Sequence, residues 1–313
     1  MSEATRRRRD RSGRGLNLPA PGIGIVVASS GRPDHLAALL DRLANQTRPP
    51  DIVVLSVVTP TDAPDRAPPH ARFRVEICTG PQGLTAQRNR GLDRLRGDTG
   101  IVAFLDDDYL PALDALDGMV RAFDAFPQAN GLTGRLLADG IHGTGLAIKT
   151  ALALLWDHEN GPPPGPPRLL SRVEGLYGCN MAVRVSALGA LRFDERLPLY
   201  GWQEDIDFTS RIPGGKFVTD AFTGVHCGTK QGRERQGLRL GYSQIANPFY
   251  LRRKGTMSRT LALRHMVRNV LANHVRALRP EPWIDRKGRA SGNRIALFDM
   301  LTGRIAPERI LDL

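Results

Sequence analysis

The sequence predicts an α/β fold in which helices sandwich a mostly parallel central sheet, followed by a helical C-terminal extension. Three observations lead to this prediction. Short apolar runs rich in β-branched residues recur in the first part of the chain, segments with helical leucine spacing separate them, and from about residue 236 the pattern becomes basic and helical. Strands that alternate with helices form parallel sheets, and ligands bind at the carboxyl ends of their strands.

The first half of the chain contains four predicted strands, at residues 23–28, 52–58, 73–77 and 101–105. The continuous apolar, β-branched run at residues 23–28 is typical of a strand that is covered on both faces. Between the first two strands, three- and four-residue spacing predicts a helix on the apolar positions Leu36, Leu39, Leu40 and Leu43. A second helix is predicted over residues 85–95.

The second half begins with the run GPPPGPP at residues 161–167, which we interpret as a loop or a hinge because proline lacks the backbone donor that helices and inner strands need. Beyond it the sequence predicts a strand over 178–185, a helix over 204–212 and a broken pair of strands over 217–225. We therefore expect three segments: a disordered basic leader (1–20), an α/β domain (21–235) and a basic helical region (236–313).

Composition and charge limit the classes of protein to which this chain can belong. Hydrophobic residues make up 41% and charged residues 24% of the 313 residues, which indicates a globular chain. Six arginines lie in the leader, which we expect to be solvated or attracted to anionic lipid or nucleic acid. No apolar run approaches the ~20 residues that cross a bilayer, and no signal peptide is recognised. We therefore expect a cytoplasmic protein with room for peripheral contact at the membrane, and three scattered cysteines that are buried thiols.

The strongest chemical signal is the triplet Asp106, Asp107 and Asp108 at the carboxyl end of the fourth predicted strand. Adjacent carboxylates repel one another unless a cation lies among them, so the triplet is a candidate site for a hard divalent ion. In an extended segment Asp106 and Asp108 share one face while Asp107 points away from it. The alternative is that one aspartate caps a helix that starts near Ala112, but a cap requires only one acid.

Two further segments carry candidate residues. Arg88 lies in the middle of the predicted helix within the segment 83–91, where it could face a diphosphate or simply lie on a solvated helix face. Glu204 and Asp205 open the helix predicted after Trp202. A carboxylate on a rigid helix in a partly closed site could act as a general base, and Trp202 could contact an acceptor; the alternatives are helix capping and ordinary core packing.

The last signal is His226, which is followed by a glycine-punctuated basic loop that contains Lys230 and Arg233. Beside a carboxylate-bound metal, His226 could be a further ligand, although a lone histidine is usually structural. Lys230 and Arg233 could close over a phosphate group.

The segment 83–91, the acid triplet, the Glu204–Asp205 pair and the His226 loop occur in an order and at a spacing that resemble the inverting family 2 glycosyltransferases with the GT-A fold. The resemblance covers about residues 22–235. The resemblance implies a metal-dependent enzyme that moves a sugar from a nucleoside-diphosphate sugar to an acceptor hydroxyl of a polysaccharide, glycolipid or small molecule. It implies Asp205 as the general base, next to Glu204, and Asp106 and Asp108 as ligands of Mg²⁺ or Mn²⁺. The residues implied for the donor nucleotide are Ala28, Ser29, Ser30, Arg32, Arg88, Asp106 and Asp107.

The chemistry agrees with this resemblance, because a divalent cation and basic side chains stabilise a leaving diphosphate while one base deprotonates the acceptor. One departure is that the second strand lacks the Asp-rich segment that usually contacts the nucleobase. Asp62 or Asp65 could take its place, and the nucleotide stays open.

Two other classes of protein share some of these sequence features. A sugar-1-phosphate nucleotidyltransferase would share the sheet and the metal, but would open with a more glycine-rich loop than residues 29–33. A non-enzymatic polyanion-binding protein would explain the charge. With 6% aromatic residues and no recognition motif, however, no specific nucleic-acid partner is expected.

Overall fold

The strands of the described residues form one sheet. The structure, a computed structural model, describes residues 22–95, 99–228 and 236–313. The strands are β1 (Gly22–Ser29), β2 (Ile52–Val57), β3 (Arg74–Thr79), β4 (Thr99–Asp106), β5 (Tyr109–Pro111), β6 (Ala129–Asp139), β7 (Leu169–Arg172), β8 (Asn180–Arg184) and β9 (Gly215–His226). They follow the order β3-β2-β1-β4-β8-β6-β9-β5, and β7 pairs with β9 outside that path.

The helices of the same residues cover this sheet and form the C-terminal region. They are α1 (Pro33–Ala44), α2 (Leu84–Leu92), α3 (Ala115–Ala125), α4 (Ile148–Glu159), α5 (Val185–Leu188), α6 (Glu204–Ser210), α7 (Gly237–Lys254), α8 (Arg259–Arg276) and α9 (Arg286–Leu301). None of these helices is long and apolar enough to cross a membrane. The predicted α/β class, with a helical C-terminal extension, is confirmed.

The parallel part of the sheet places the acid triplet. Strands β3, β2, β1 and β4 pair in parallel, and Ala28 at the end of β1 lies beside Asp106 at the end of β4. Both strands are covered on both faces, as their unbroken apolar sequences predict. Beyond β4 the sheet turns antiparallel at β8. The first aspartate therefore emerges next to the turn that follows β1.

Two details differ from the sequence-based expectations. Residues 217–225 were expected as a broken pair of strands, which is wrong: they belong to the single strand β9. Opposite β6 its register jumps from Thr219 to Thr223, so residues 220–222 bulge out of the ladder and produce the irregular pattern without a turn. The acid triplet is followed by β5, and α3 begins only at Ala115, so no aspartate of the triplet caps a helix. Residues 161–167 form a loop, and all three cysteines are buried free thiols, as expected.

The C-terminal helices pack on one another through glycine contacts and a buried amide network. The backbones of α7 and α9 touch, because a Cβ at Gly292 would lie 2.0 Å from the carbonyl oxygen of Leu238. Asn273 of α8 donates to Gln244 at 2.7 Å and to Asn293 at 2.9 Å. Buried amides that are hydrogen-bonded to one another fix the relative placement of the three helices.

Ion pairs and apolar contacts attach this helical region to the sheet domain. Lys254, at the end of α7, contacts Asp194 at 2.5 Å and Asp207 of α6 at 2.8 Å. Next to them, Leu251 and Leu197 share a buried apolar cluster. The helices therefore pack directly behind α6, the helix that begins with Glu204 and Asp205.

Candidate active site

A cleft of 410 Å³ lies at the carboxyl ends of β1 and β4. Six residues that the sequence suggested for the donor nucleotide line it: Ala28, Ser29, Ser30, Arg32, Asp106 and Asp107. The remaining lining residues are Gly31, which the family resemblance places in the nucleotide cradle, and seven residues without such an assignment: Gln82, Gly83, Leu84, Gln87, Leu199, Tyr200 and Gln236. These seven come from the start of α2 with its preceding loop, the loop before α6 and the residue before α7, so only the folded chain brings them to the cleft.

The middle acid of the triplet is part of the cleft floor. Asp107 is buried, accepts a hydrogen bond from the Ser29 hydroxyl at 2.5 Å and pairs with Arg32 at 3.0 Å. Burial raises the pKa of Asp107 to about 7, and the Arg32 guanidinium only partly offsets this rise. Asp107 therefore fixes the positions of Ser29 and Arg32 at the cleft wall.

The outer two acids face the same point as His226. The His226 Nε2 atom lies 3.3 Å from Asp108 Oδ1 and 3.8 Å from Asp106 Oδ2. Each of the three side chains offers one ligand atom, and these atoms lie within 4.8 Å of one another. Two carboxylate oxygens and an imidazole nitrogen are a donor set that suits Mn²⁺ or Mg²⁺ together with phosphate oxygens. The residues present therefore fit a divalent cation.

Asp139 and Tyr177 hold the imidazole from its other side. Asp139 Oδ1 lies 2.9 Å from His226 Nδ1, and the Tyr177 hydroxyl donates to Asp139 Oδ2 at 3.0 Å. Burial lowers the pKa of His226, but the hydrogen bonds to Asp108 and Asp139 outweigh burial and raise it to about 10. This carboxylate–histidine arrangement directs Nε2 toward Asp106 and Asp108. Asp139 lies in no recognisable motif, and sequence reasoning missed it; Tyr177 begins the segment 177–182 that the sequence singles out, but it was assigned no role.

Arg88 connects the acid triplet to helix α6. Its guanidinium donates to Asp106 Oδ1 at 2.9 Å, to Glu204 Oε1 at 2.6 Å and to the Gly178 carbonyl at 2.8 Å. The residue is 1% exposed and its guanidinium also lies 5.4 Å from the centre of the Phe193 ring. It does not line the 410 Å³ cleft. Arg88 therefore pairs with two carboxylates and lines the second pocket, so a solvated helix face does not describe its position, and its contact with the nucleotide stays a prediction.

A second pocket of 210 Å³ contains Glu204 and Asp205, and it shares Asp106 and Tyr200 with the cleft. Burial, reinforced by the Asp205 charge, raises the pKa of Glu204 to about 8. Burial also raises the pKa of Asp205, against the hydrogen bonds that it accepts from the backbone N–H groups of Ile206 and Gly178. A carboxylate with a raised pKa is a better proton acceptor. Neither acid is the N-cap of α6, which is Gln203 and makes no side-chain cap bond.

The outer wall of this pocket comes partly from the C-terminal region. The Trp202 ring packs edge to face against His265 of α8, with 5.8 Å between ring centres. Gln203 has a left-handed backbone, with φ of 72°, and neither polar atom of its buried amide has a partner among the described residues. Strained backbone and unpaired buried amides concentrate at functional sites. His265 carries no local signal that sequence reasoning could have used.

The sequence suggested four further positions for the donor: Lys230, Arg233, Asp62 and Asp65. Lys230 and Arg233 lie outside the described residues. Asp62 lies outside the cleft lining: it accepts hydrogen bonds from the backbone N–H of Gly31 at 2.8 Å and of Thr59 at 2.8 Å. It therefore braces the turn after β1. Asp65 is exposed and also lies outside the lining.

The comparison with protein families assigns the chain. The model of glycosyl transferase family 2 matches residues 16–189, which is more than half of the chain. This chain belongs to glycosyl transferase family 2. The resemblance seen in the sequence is thereby confirmed, and the protein is a family 2 glycosyltransferase with a GT-A-like fold.

Solved structures similar to this glycosyltransferase have low sequence identity. The mannosyltransferase PcManGT from Pyrobaculum calidifontis, in complex with GDP-Man and Mn²⁺, matches with a TM-score of 0.50 and 14% identity, over 93% of this chain and 85% of that chain. S. aureus TarS 1-349 matches with a TM-score of 0.44 and 16% identity, over 90% of this chain and 92% of that chain. The search of curated proteins finds no match. The likeness to PcManGT shows a shared fold.

Proposed function

We propose that this glycosyltransferase moves a sugar from a nucleoside-diphosphate sugar to an acceptor hydroxyl by single displacement with inversion. The observation that carries the proposal is the arrangement of the two pockets. The cleft and the carboxylate pocket meet at Asp106 and Tyr200, so a donor in the cleft would present its anomeric carbon toward Asp205. One base on the side opposite the leaving diphosphate is all that a single displacement needs.

Asp106, Asp108 and His226 would hold the divalent cation, Mn²⁺ or Mg²⁺, beside the donor diphosphate. When bound, such a cation stabilises the negative charge that develops on the leaving diphosphate. Arg32, which pairs with Asp107 and Asp108, stands at the cleft wall where it can face the same phosphates. Lys230 and Arg233 remain candidates for further phosphate contacts.

Asp205 fits the role of base better than Glu204. Glu204 is buried and bound to Arg88, whereas Asp205 is half-buried in the pocket and is held by two backbone N–H groups. Backbone donors fix its orientation without neutralising its charge. We assign proton removal from the acceptor to Asp205, and the positioning of α6 against the acid triplet to Glu204 and Arg88.

The acceptor would enter along Trp202, whose ring can stack on a sugar. A polysaccharide, a lipid-linked sugar or a small molecule each offers the hydroxyl that the reaction requires. PcManGT shows a GDP-sugar and Mn²⁺ on a shared fold, which is the class of donor proposed for this chain.

The test is nucleotide release from a panel of UDP-, GDP- and dTDP-sugars, with and without Mn²⁺. One donor should turn over with Mn²⁺ and stop when the metal is chelated. Asp205→Asn should lower kcat by about 10²–10⁴-fold with donor affinity within twofold of wild type. The exposed Asp65→Asn serves as the matched control and should change neither quantity. Equal losses of turnover and donor affinity in Asp205→Asn would mean that the residue binds the donor, and a panel without any turnover would refute the proposed reaction.

A further inference from the structure

Helix α8 exposes an apolar stripe to solvent. Leu263, Val267, Leu271 and Val275 follow one another at four-residue spacing and are 47–65% exposed, and Leu278 just beyond the helix is 85% exposed. At 1.5 Å per residue the stripe runs for about 22 Å. Side chains four residues apart lie on the same helix face, so these residues form one continuous surface. An apolar surface of this length marks an interaction site.

The stripe lies in a segment that carries only positive charge. Residues 252–280 contain no Asp or Glu, and their basic side chains are Arg252, Arg253, Lys254, Arg259, Arg264, Arg268, Arg276 and Arg279. Arg264 and Arg268 are exposed and directly follow Leu263 and Val267, so guanidinium groups border the apolar stripe. Apolar residues along one face with arginines at its edge are typical of helices that lie in the headgroup region of a bilayer.

The charges decide between occupants of this surface. A second copy of the chain that covers the stripe with its own stripe would bring one row of arginines against another, at an electrostatic cost. A nucleic acid would match the charge but would leave the leucines and valines in water. An anionic lipid surface matches both features, because headgroups pair with the arginines while the acyl boundary receives the apolar side chains.

We propose that the exposed face of α8 docks on an anionic lipid bilayer. The opposite side of the helix is fixed, since Ala262 is buried and Asn273 is bound into the amide network with α7 and α9. The docking face is therefore preorganised. His265, between Leu263 and Val267 in sequence, lines the pocket of Asp205, so docking would hold the acceptor side of the proposed site close to the lipid headgroups. Docking itself does not depend on the proposed transfer reaction.

The test uses the full chain and vesicles of phosphatidylglycerol and phosphatidylcholine. Cosedimentation should show binding to phosphatidylglycerol vesicles and at least tenfold weaker binding to pure phosphatidylcholine. The triple variant Leu263→Gln, Val267→Gln and Leu271→Gln should bind at least about 30-fold more weakly, because each side chain contributes buried apolar area. A control with Leu152→Gln and Leu154→Gln, two exposed leucines of α4, should bind like wild type. Circular dichroism and thermal unfolding confirm that both variants are folded.

A second measurement separates α8 from the basic leader, which could attract vesicles by charge alone. An environment-sensitive fluorophore on Leu271→Cys should brighten with phosphatidylglycerol vesicles and retain this signal in 0.5 M salt, where purely electrostatic contact is screened. The same fluorophore on Leu152→Cys should not respond. Vesicle binding without a response at position 271 would assign binding to another surface and overturn the proposal. So would a dimer in sedimentation velocity that the triple variant abolishes.

Discussion

Replacing Arg88 with methionine tests whether the buried ion-pair network holds the two halves of the site together. The substitution keeps an unbranched side chain of similar length and removes the charge between Asp106 and Glu204. The Glu204 side chain is only 7% exposed, so it would stay buried without its cation. Breaking a buried pair by removing one partner costs roughly 3–5 kcal/mol.

Proton uptake limits this cost. The pKa of Glu204 is raised to about 8 even with Arg88 present, so the acid can become neutral once its partner is lost. We therefore expect Arg88→Met to lower the free energy of unfolding by about 3 kcal/mol, a Tm loss of roughly 4–5 °C for a chain of this size. Donor turnover should fall as well, because Asp106 and helix α6 lose their common anchor.

Urea unfolding at pH 7 measures the effect, and a double-mutant cycle identifies its cause. Adding Glu204→Gln to Arg88→Met removes the cost of protonating the buried Glu204 carboxyl at pH 7 and should recover roughly 1–2 kcal/mol. The control is Arg192→Met, which breaks the exposed pair with Asp93 and should cost less than about 0.5 kcal/mol. An Arg88→Met protein within 1 kcal/mol of wild type, or no recovery in the double variant, would refute the reasoning.

Two further predictions concern the pH dependence and the metal site. The pKa of Glu204 rises from 4.5 to about 8 on folding, so the folded protein keeps a proton that the unfolded chain releases. The free energy of unfolding should therefore fall by a few kcal/mol as the pH rises from 4.5 to 8. Glu204→Gln should remove this slope, and an unchanged slope would contradict the assignment. Asp139→Asn should weaken Mn²⁺ binding about 10–100-fold in electron paramagnetic resonance titrations, because His226 loses its orienting carboxylate. The control Asp220→Asn, at the exposed pair with Arg168, should leave the Mn²⁺ affinity unchanged. An Asp139→Asn protein that binds Mn²⁺ as tightly as wild type would exclude the positioning role.

The sequence was sufficient for features whose physical cause is local. Strands β1, β2 and β4 were predictable because apolar residues on both faces leave few alternatives to a buried parallel strand. The acid triplet pointed to a cation for the same reason, since adjacent charges carry their own repulsion. Strand β9 was harder, because its bulge at residues 220–222 resembles a turn until the register with β6 is known.

Features that depend on distant partners could not be predicted. Arg88 in isolation allows a solvated or a nucleotide-facing position, and its burial against Glu204, 116 residues away, excludes the solvated one. Asp139, which holds His226, is likewise 87 residues distant from its partner. Such pairs form through the topology of the sheet, which brings the ends of β6 and β9 together, and periodicity within one segment carries no information about them.

The C-terminal helices show how far the site extends beyond the sheet. Asn247 of α7 donates to the backbone carbonyl of Trp202 at 2.8 Å, and Lys254 neutralises the buried Asp207 of α6. His265 of α8 then packs on the Trp202 ring. The left-handed backbone at Gln203, directly before the two catalytic candidates, lies between these contacts and costs roughly 1–2 kcal/mol in a residue that is not glycine. The C-terminal helices therefore hold this turn in place from outside. Although the composition changes near residue 236, residues on both sides of that point together orient α6 toward its pocket.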